Sequence, residues 1–258
     1  MKTKIQTAER CSKNEASDNV IFQRHLFAYE QAAIRVSGNV AEVGCGEGYG
    51  MSVLLPHVDL YMAMDKYPTP ATGEQREKVI FKPLQFPDFS GVPVHFFDFV
   101  ICFQVIEHIK DDRLFVSKIA QLLKPGGTLL LTTPHAPMSL TRNPFHVREY
   151  EYPALHALLA PHFSRVDIRG VYGKQQAREY YEANKQAVAR VRKWDVFDFE
   201  HKMPAALLKI PYNLLNRRNR HKLLRQCNTQ TARITTDEFY LDTFRNEAYD
   251  FFAIAEKA

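Results

Sequence analysis

Apolar positions along the chain follow two rhythms. Between 20 and 36 they recur with helical spacing, with Ile21, Phe22, Leu26, Tyr29, Ala33 and Ile34 on one side and Asn19 as the expected N-cap. After a break at Ser37-Gly38-Asn39, short apolar runs alternate with amphipathic ones. Strands are expected over 40–43, 60–64, 79–81, 97–103, 128–132 and 163–171. Helices are expected over 49–55, 71–78, 111–123 and 152–159, the third stopped by Lys124-Pro125-Gly126-Gly127. Strands that alternate with helices form a parallel sheet covered on both faces.

The rhythm changes after 173. Residues 174–194 read as one helix, with Ala177, Tyr181, Val188 and Val191 on one side. A second helical stretch, punctuated by Pro204 and Pro211, runs to about residue 226, and 248–255 reads as a last strand. The expected organisation is an N-terminal helical cap (1–35), a core (36–173), a helical and basic insertion (174–240) and a final core strand (241–258).

Composition adds exclusions. The 258 residues are 45% apolar, 24% charged and 12% aromatic, an ordinary globular balance that rules out collagen-like or wholly disordered chains. Cys11, Cys45, Cys102 and Cys227 form no CxxC pair, so neither a zinc ribbon nor a disulfide framework is expected. The first ten residues are polar, and no run of about 18 apolar residues occurs, so a cytoplasmic setting is the expectation. The net charge of +5 is unevenly placed. Lys202, Lys209, Arg217, Arg218, Arg220, Lys222, Arg225 and Arg233 share the window 201–235 with no acid, leaving 26 basic and 29 acidic residues elsewhere.

The strongest chemical signal is Glu42-Val43-Gly44-Cys45-Gly46-Glu47-Gly48, a glycine turn between a strand and a helix. Glycines serve where backbone turns sharply or a ligand approaches it closely. Asp65 follows 21 residues after Gly44, at the tip of the next expected strand, where a carboxylate can accept both hydroxyls of a ribose. A dinucleotide site would want glycine where Tyr49 stands, and Glu42 and Glu47 flank the turn with negative charge. A cationic ligand without phosphates suits this turn better, which points to S-adenosylmethionine over NAD(P).

AEVGCGEGYG resembles the first motif of class I S-adenosylmethionine-dependent methyltransferases, and MAMD their second acidic motif. FDFVICFQVIEHI and LLKPGGTLLLTTP are similar to their fourth- and fifth-strand motifs, and RNPFHVREY with YDFFAIAEK looks like a bacterial branch of largely unassigned substrate. The resemblance implies a Rossmann-like α/β fold of seven strands, mostly parallel with an antiparallel last strand, and a helical insertion between strands six and seven. It implies S-adenosylmethionine as cofactor, with S-adenosylhomocysteine as product. Gly44, Cys45, Gly46 and Gly48 would line the methionine and ribose portion, and Asp65 would take the ribose hydroxyls. Glu42 would orient the loop or reach the amino group through water, and Phe103 and Gln104 would border the ligand. The family often carries an acid for adenine after strand three; Phe81-Lys82-Pro83-Leu84-Gln85 has none.

Methyl transfer needs a general base only if the acceptor must lose a proton. Among His108, His135 and His146, all after expected strands four and five, His108 and His146 are the candidates for a base or an acceptor-orienting group. Gln104-Val105-Ile106-Glu107-His108 resembles the E-x-x-E-H segment of metal-using methyltransferases of ubiquinone precursors and small RNAs. The first acid is here a glutamine, which weakens a hard-cation site; Glu107, His108 and His146 could still make a partial one, but no metal is expected.

The acceptor expected is an oxygen or nitrogen of a small or glycan-like molecule, with anionic and lipid-linked, membrane-surface acceptors left open by the basic segment. A metal-assisted 2′-O-type RNA methyltransferase and a cofactor-binding protein without catalysis are the alternatives. DNA is not expected, and RNA is disfavoured because no aromatic interleaves the basic residues between Arg217 and Arg233. The sequence sets no oligomeric state.

Overall fold

The structure, a computed structural model, describes residues 15–67, 76–193, 202–226, 231 and 233–258. Eight strands form one sheet: β1 (Asn39–Val43), β2 (Leu60–Asp65), β3 (Val79–Pro83), β4 (Phe97–Phe103), β5 (Leu123–Pro134), β6 (Arg165–Gly173), β7 (Phe239–Thr243) and β8 (Asp250–Glu256). Their spatial order is β3-β2-β1-β4-β5-β8-β6-β7. The pairs β3/β2, β2/β1, β1/β4 and β4/β5 are parallel, whereas β8 runs antiparallel to both β5 and β6. The sheet has eight strands where seven were expected. The strand that sequence reading missed, β7, is a five-residue edge with only Phe239 buried, so its hydrophobic signal is weak.

Among the described residues the α-helices are α1 (Asn19–Ala33), α2 (Met51–Leu54), α3 (Asp112–Leu122), α4 (Tyr152–Leu159), α5 (Gln175–Arg192) and α6 (Ala205–Gln226). Asp111 caps α3 by accepting from the Leu114 N–H at 3.0 Å. Asn19, expected as a cap, lies inside α1; its amide instead donates to the carbonyls of Thr231 and Ile234, both at 2.9 Å. Ile34, expected on the apolar face, falls past the helix end and is exposed. The helix expected over 71–78 is described only at Arg76–Lys78, one 3-10 turn; 71–75 lie outside the described residues, as do Trp194, Cys11 and Cys227. Lys124-Pro125-Gly126-Gly127 does not end a helix before a separate strand. It is looped out within β5, where the register jumps from Phe97↔Leu123 to Phe99↔Thr128.

The chain divides into two compact units. The sheet unit comprises 25–138, 147–172 and 241–258; the helical unit comprises the described residues of 1–24, 139–146 and 173–240. In the sheet unit the central strands are apolar on both faces, and Val40, Ala41, Val100, Ile101, Leu129 and Leu131 are closed to water. In the helical unit Asp18 pairs with Arg220 on α6 at 2.6 Å, and Asn219 donates to Asn184 on α5 at 2.7 Å. Among the described residues no helix is long and apolar enough to cross a membrane.

Candidate cofactor and active site

Strand order fixes where a ligand can sit. β1 has β2 on one side and β4 on the other, so the chain reverses direction across the sheet at β1 and leaves a crevice beyond its carboxyl end. The glycine turn occupies that position. Gly44, Gly46 and Gly48 all have positive φ, +80°, +54° and +75°, which side chains other than glycine rarely tolerate. The N–H groups of Gly44 and Cys45 both donate to the Met64 carbonyl (2.8 and 3.1 Å), pinning the turn to the end of β2. A Cβ on Gly44 would collide with the Val105 side chain, so the turn packs on the tip of β4. A Cβ on Gly46 would meet nothing within 4 Å. Of the two, Gly46 leaves open space beside the backbone.

Asp65 is half-buried at the tip of β2. Its Oδ2 accepts the Gly46 N–H and its Oδ1 the Tyr67 N–H, both at 3.0 Å. Two backbone donors thus hold the carboxylate in one orientation beside the turn, and each oxygen keeps a further lone pair for a hydroxyl.

Glu42 lies behind the turn at 1% exposure. Its two oxygens accept from Tyr29 of α1 and Tyr61 of β2, each at 2.5 Å. Burial pushes its carboxyl above the ordinary range, against the two tyrosine hydrogen bonds, which pull it down; the nearby Asp65 charge adds to the rise. Burial, and then the Glu42 charge, pushes both phenols up. The Tyr29 ring also meets Phe103 and Tyr49 edge-on at 5.0 and 5.5 Å. Cys45 and Cys102 are buried, and burial raises the Cys102 thiol, with the Glu107 and Glu42 charges behind it, which disfavours a thiolate nucleophile.

At the tip of β4, Phe103 is buried and Gln104 adopts φ +56°. A bulky residue held there is a strained feature of the kind found at ligand sites. Thr132 of β5 holds it: the Gln104 N–H donates to the Thr132 carbonyl (2.9 Å), and its side-chain amide to the Thr132 hydroxyl (3.3 Å). The 3-10 turn Ile106–His108 follows. Glu107 is 1% exposed and accepts from the Thr133 hydroxyl at 3.0 Å, and its carbonyl takes the Val147 N–H at 2.7 Å. His108 is half-buried. Arg148 clamps the same loop by donating to the carbonyls of Ile109 (2.9 Å) and Lys110 (2.7 Å) and pairing with Asp112 at 2.7 Å.

The sheet unit therefore carries Glu42, Gly44, Cys45, Gly46, Gly48, Asp65, Phe103, Gln104 and His108, all after the carboxyl ends of β1, β2 or β4 or within those strands. His146 belongs to the helical unit. There the Asn143 Oδ1 accepts the Phe145 N–H at 3.0 Å, which turns the Asn143 amide nitrogen toward His146 Nε2, 2.8 Å away. An amide nitrogen only donates, so Nε2 accepts and the ring proton of the neutral imidazole sits on Nδ1. His135 is a structural residue: it is 2% exposed, bonds the Ala248 carbonyl at 3.0 Å and meets the Phe251 and Phe244 rings.

Sequence reasoning did not find Tyr61, Val105, Thr132 or Thr133. One signal was available: a carboxylate inside the run Val40-Ala41-Glu42-Val43 must find buried donors, and Tyr61 stands on the adjacent expected strand.

The comparisons with known proteins agree with this geometry. The methyltransferase domain family matches residues 15–176. A protein of Mycolicibacterium smegmatis named "Probable S-adenosylmethionine-dependent methyltransferase" is 34% identical over 175 residues, 64% of this chain and 68% of that one. A protein of the same description from Mycobacterium tuberculosis is 33% identical over 161 residues, covering 59% of this chain and 58% of its own length. A solved "SAM-dependent methyltransferase" of Thermotoga maritima superposes with a TM-score of 0.50 over 92% of each chain at 14% identity, a likeness of fold alone. With an open glycine cradle, an oriented carboxylate beside it and acids in place of phosphate-binding cations, the chain belongs to the methyltransferase domain family, and it is an S-adenosylmethionine-dependent methyltransferase.

Proposed function

We propose that the methyl goes to an oxygen or nitrogen of a small or glycan-like acceptor, with Gly44, Cys45, Gly46, Gly48, Asp65, Phe103 and Gln104 as the cofactor site. The observation that supports this most is the pair Gly46 and Asp65: a positive-φ glycine with open space over it, bonded at 3.0 Å to the carboxylate that would take the sugar. Bound S-adenosylmethionine supplies an activated methyl group and leaves as S-adenosylhomocysteine. Asp65 accepts the ribose hydroxyls, the turn backbone lies against the methionine portion, and Phe103 borders the ligand with an apolar ring. Glu42 acts from behind as a positioning residue, since it is closed to water and bound to Tyr29 and Tyr61.

His108 is the proposed base. For a hydroxyl acceptor, the acceptor oxygen forms the bond to the methyl carbon, the carbon–sulfur bond breaks, and the hydroxyl proton passes to the imidazole. His146, with its proton on Nδ1, suits orienting an acceptor by donation better than removing a proton. No step is assigned to a metal. Gln104 offers no carboxylate at the first position of the segment that resembles E-x-x-E-H.

Calorimetry with S-adenosylmethionine and S-adenosylhomocysteine tests the cofactor site. Heat with both, lost in Asp65→Ala, is expected; no heat with either form, from folded protein, would overturn the assignment. An assay of S-adenosylhomocysteine release over a panel of hydroxyl and amine acceptors tests the chemistry. At saturating cofactor, His108→Ala should lower kcat about 10²–10⁴-fold for a hydroxyl acceptor, while His146→Ala should raise KM with the smaller effect on kcat. An unchanged kcat in His108→Ala with a hydroxyl acceptor removes His108 from the role of base.

A further inference from the structure

Helix α6 is divided along its length and around its axis. On one side it is fully engaged within the helical unit: Tyr212 meets the Phe145 ring at 6.3 Å, Asn219 bonds Asn184, and Arg220 pairs with Asp18. The opposite side faces water. At about 100° per residue, Leu207, Ile210, Leu214 and Arg218 fall within a sector of roughly 80°. Ile210 is 80% exposed, and Leu207 and Leu214 are each 60% exposed, while Arg218, His221 and Lys222 are exposed on the following turns. The outer face is therefore aliphatic in its first half and cationic in its second, and no acidic residue occurs between 201 and 235.

We propose that this face of α6 docks on an anionic lipid surface, with Leu207, Ile210 and Leu214 entering the boundary between headgroups and acyl chains and Arg218 and Lys222 resting on lipid phosphates. Three large aliphatic side chains open to water can enter that boundary, and the cations on the following turns are drawn to its anionic phosphates. The rival occupants fit less well. A second copy paired about a two-fold axis would set aliphatic against cationic halves in an antiparallel arrangement, or cations against cations in a parallel one. An RNA strand would want exposed aromatic rings for stacking; the one aromatic of α6, Tyr212, is turned to Phe145. The proposal does not depend on the identity of the methyl acceptor.

Sedimentation of the full chain with large unilamellar vesicles tests it. Vesicles of phosphatidylcholine alone are compared with vesicles that also contain phosphatidylglycerol, at low and high salt. Binding to the anionic vesicles alone, reversed by salt, is expected. Arg218→Glu with Lys222→Glu should weaken it at least about five-fold for each charge, and Ile210→Asn with Leu214→Asn should abolish it. Circular dichroism and the heat of cofactor binding should match the unaltered chain in both variants, since each changes only side chains that are exposed to water. Absence of binding, equal binding to the neutral vesicles, or undiminished binding by the charge-reversed variant would overturn the proposal. So would a dimer in sedimentation velocity that Ile210→Asn with Leu214→Asn makes monomeric, or retardation of RNA in a gel without any vesicle binding.

Discussion

In the sheet unit Phe97, Phe115, Leu129, Leu131 and Phe251 are closed to water, whereas in the helical unit Leu207, Ile210 and Leu214 lie open to it. The sheet unit follows the usual economy of a folded domain, in which apolar area removed from water supplies most of the stability. Among its described residues the helical unit has few buried apolar anchors, Phe22, Ala177 and Ile234 being three of them. Much of what joins its distant segments is polar: Asn19 to the carbonyls of Thr231 and Ile234, Asp18 to Arg220, Asn219 to Asn184, and Gln176 to Glu238 at 3.0 Å. Apolar burial is non-directional and tolerates adjustment. A buried polar latch fixes position but fails sharply when one partner is removed.

Breaking that latch should cost the most. The Asp18 and Arg220 side chains are 6% and 10% exposed, and removing one member of a buried pair typically costs about 3–5 kcal/mol because the other charge is stranded. Asp18→Ala should therefore raise hydrogen exchange throughout α6 while amides of β4 and β5 keep their protection. Replacing both partners, as Asp18→Leu with Arg220→Met, should recover much of the loss. Equal deprotection of β4 and β5 in Asp18→Ala would show that the two units do not differ in this way.

Within the sheet unit, two neighbouring glycines differ in what surrounds them. Gly44→Ala meets the Val105 side chain and a left-handed backbone; about 1–2 kcal/mol for the backbone and about 1–3 for overpacking are expected in urea denaturation. Gly46→Ala has the backbone cost alone, because nothing lies within 4 Å of its Cβ. It should instead lose cofactor affinity in calorimetry. If Gly46→Ala binds cofactor unimpaired, the open space over the turn is not the cradle.

Much of this was legible in the sequence, and the failures have physical causes. β4 and α4 fall at the expected bounds, since a seven-residue segment that is apolar but for Asp98, and a helix opened by Pro153 in its first turn, are strong local signals. The glycine turn and Asp65 lie where their spacing put them because strand–turn–helix geometry is local. Asn19 was misread because its partners, Thr231 and Ile234, are more than two hundred residues away, and a tertiary bond replaced the local cap. The positive φ of Gln104 leaves no mark in sequence, because the packing of β5 imposes it on a residue that would not choose it alone. The grouping of 139–146 with the late helices has no periodicity to announce it.

The smallest effect concerns the buried acid behind the turn, and its value lies in its sign. Burial raises the folded pKa of Glu42 above the ordinary value of 4.5, outweighing the hydrogen bonds from Tyr29 and Tyr61. The folded chain therefore holds this proton more tightly than the unfolded chain. Its contribution to stability is fully present below the unfolded pKa and is lost as pH rises through the folded one. Glu42→Gln removes the titration but keeps an acceptor for a tyrosine hydroxyl. Stability relative to the unaltered chain should thus shift in favour of the glutamine variant as pH rises from about 4 toward neutrality, and the gap should be flat below that window. Urea denaturation of both chains at matched pH values measures it. A gap that moves the opposite way would mean that the tyrosines outweigh burial and hold Glu42 as a carboxylate below its ordinary range. The sheet unit would then keep a stabilised charge behind its glycine turn.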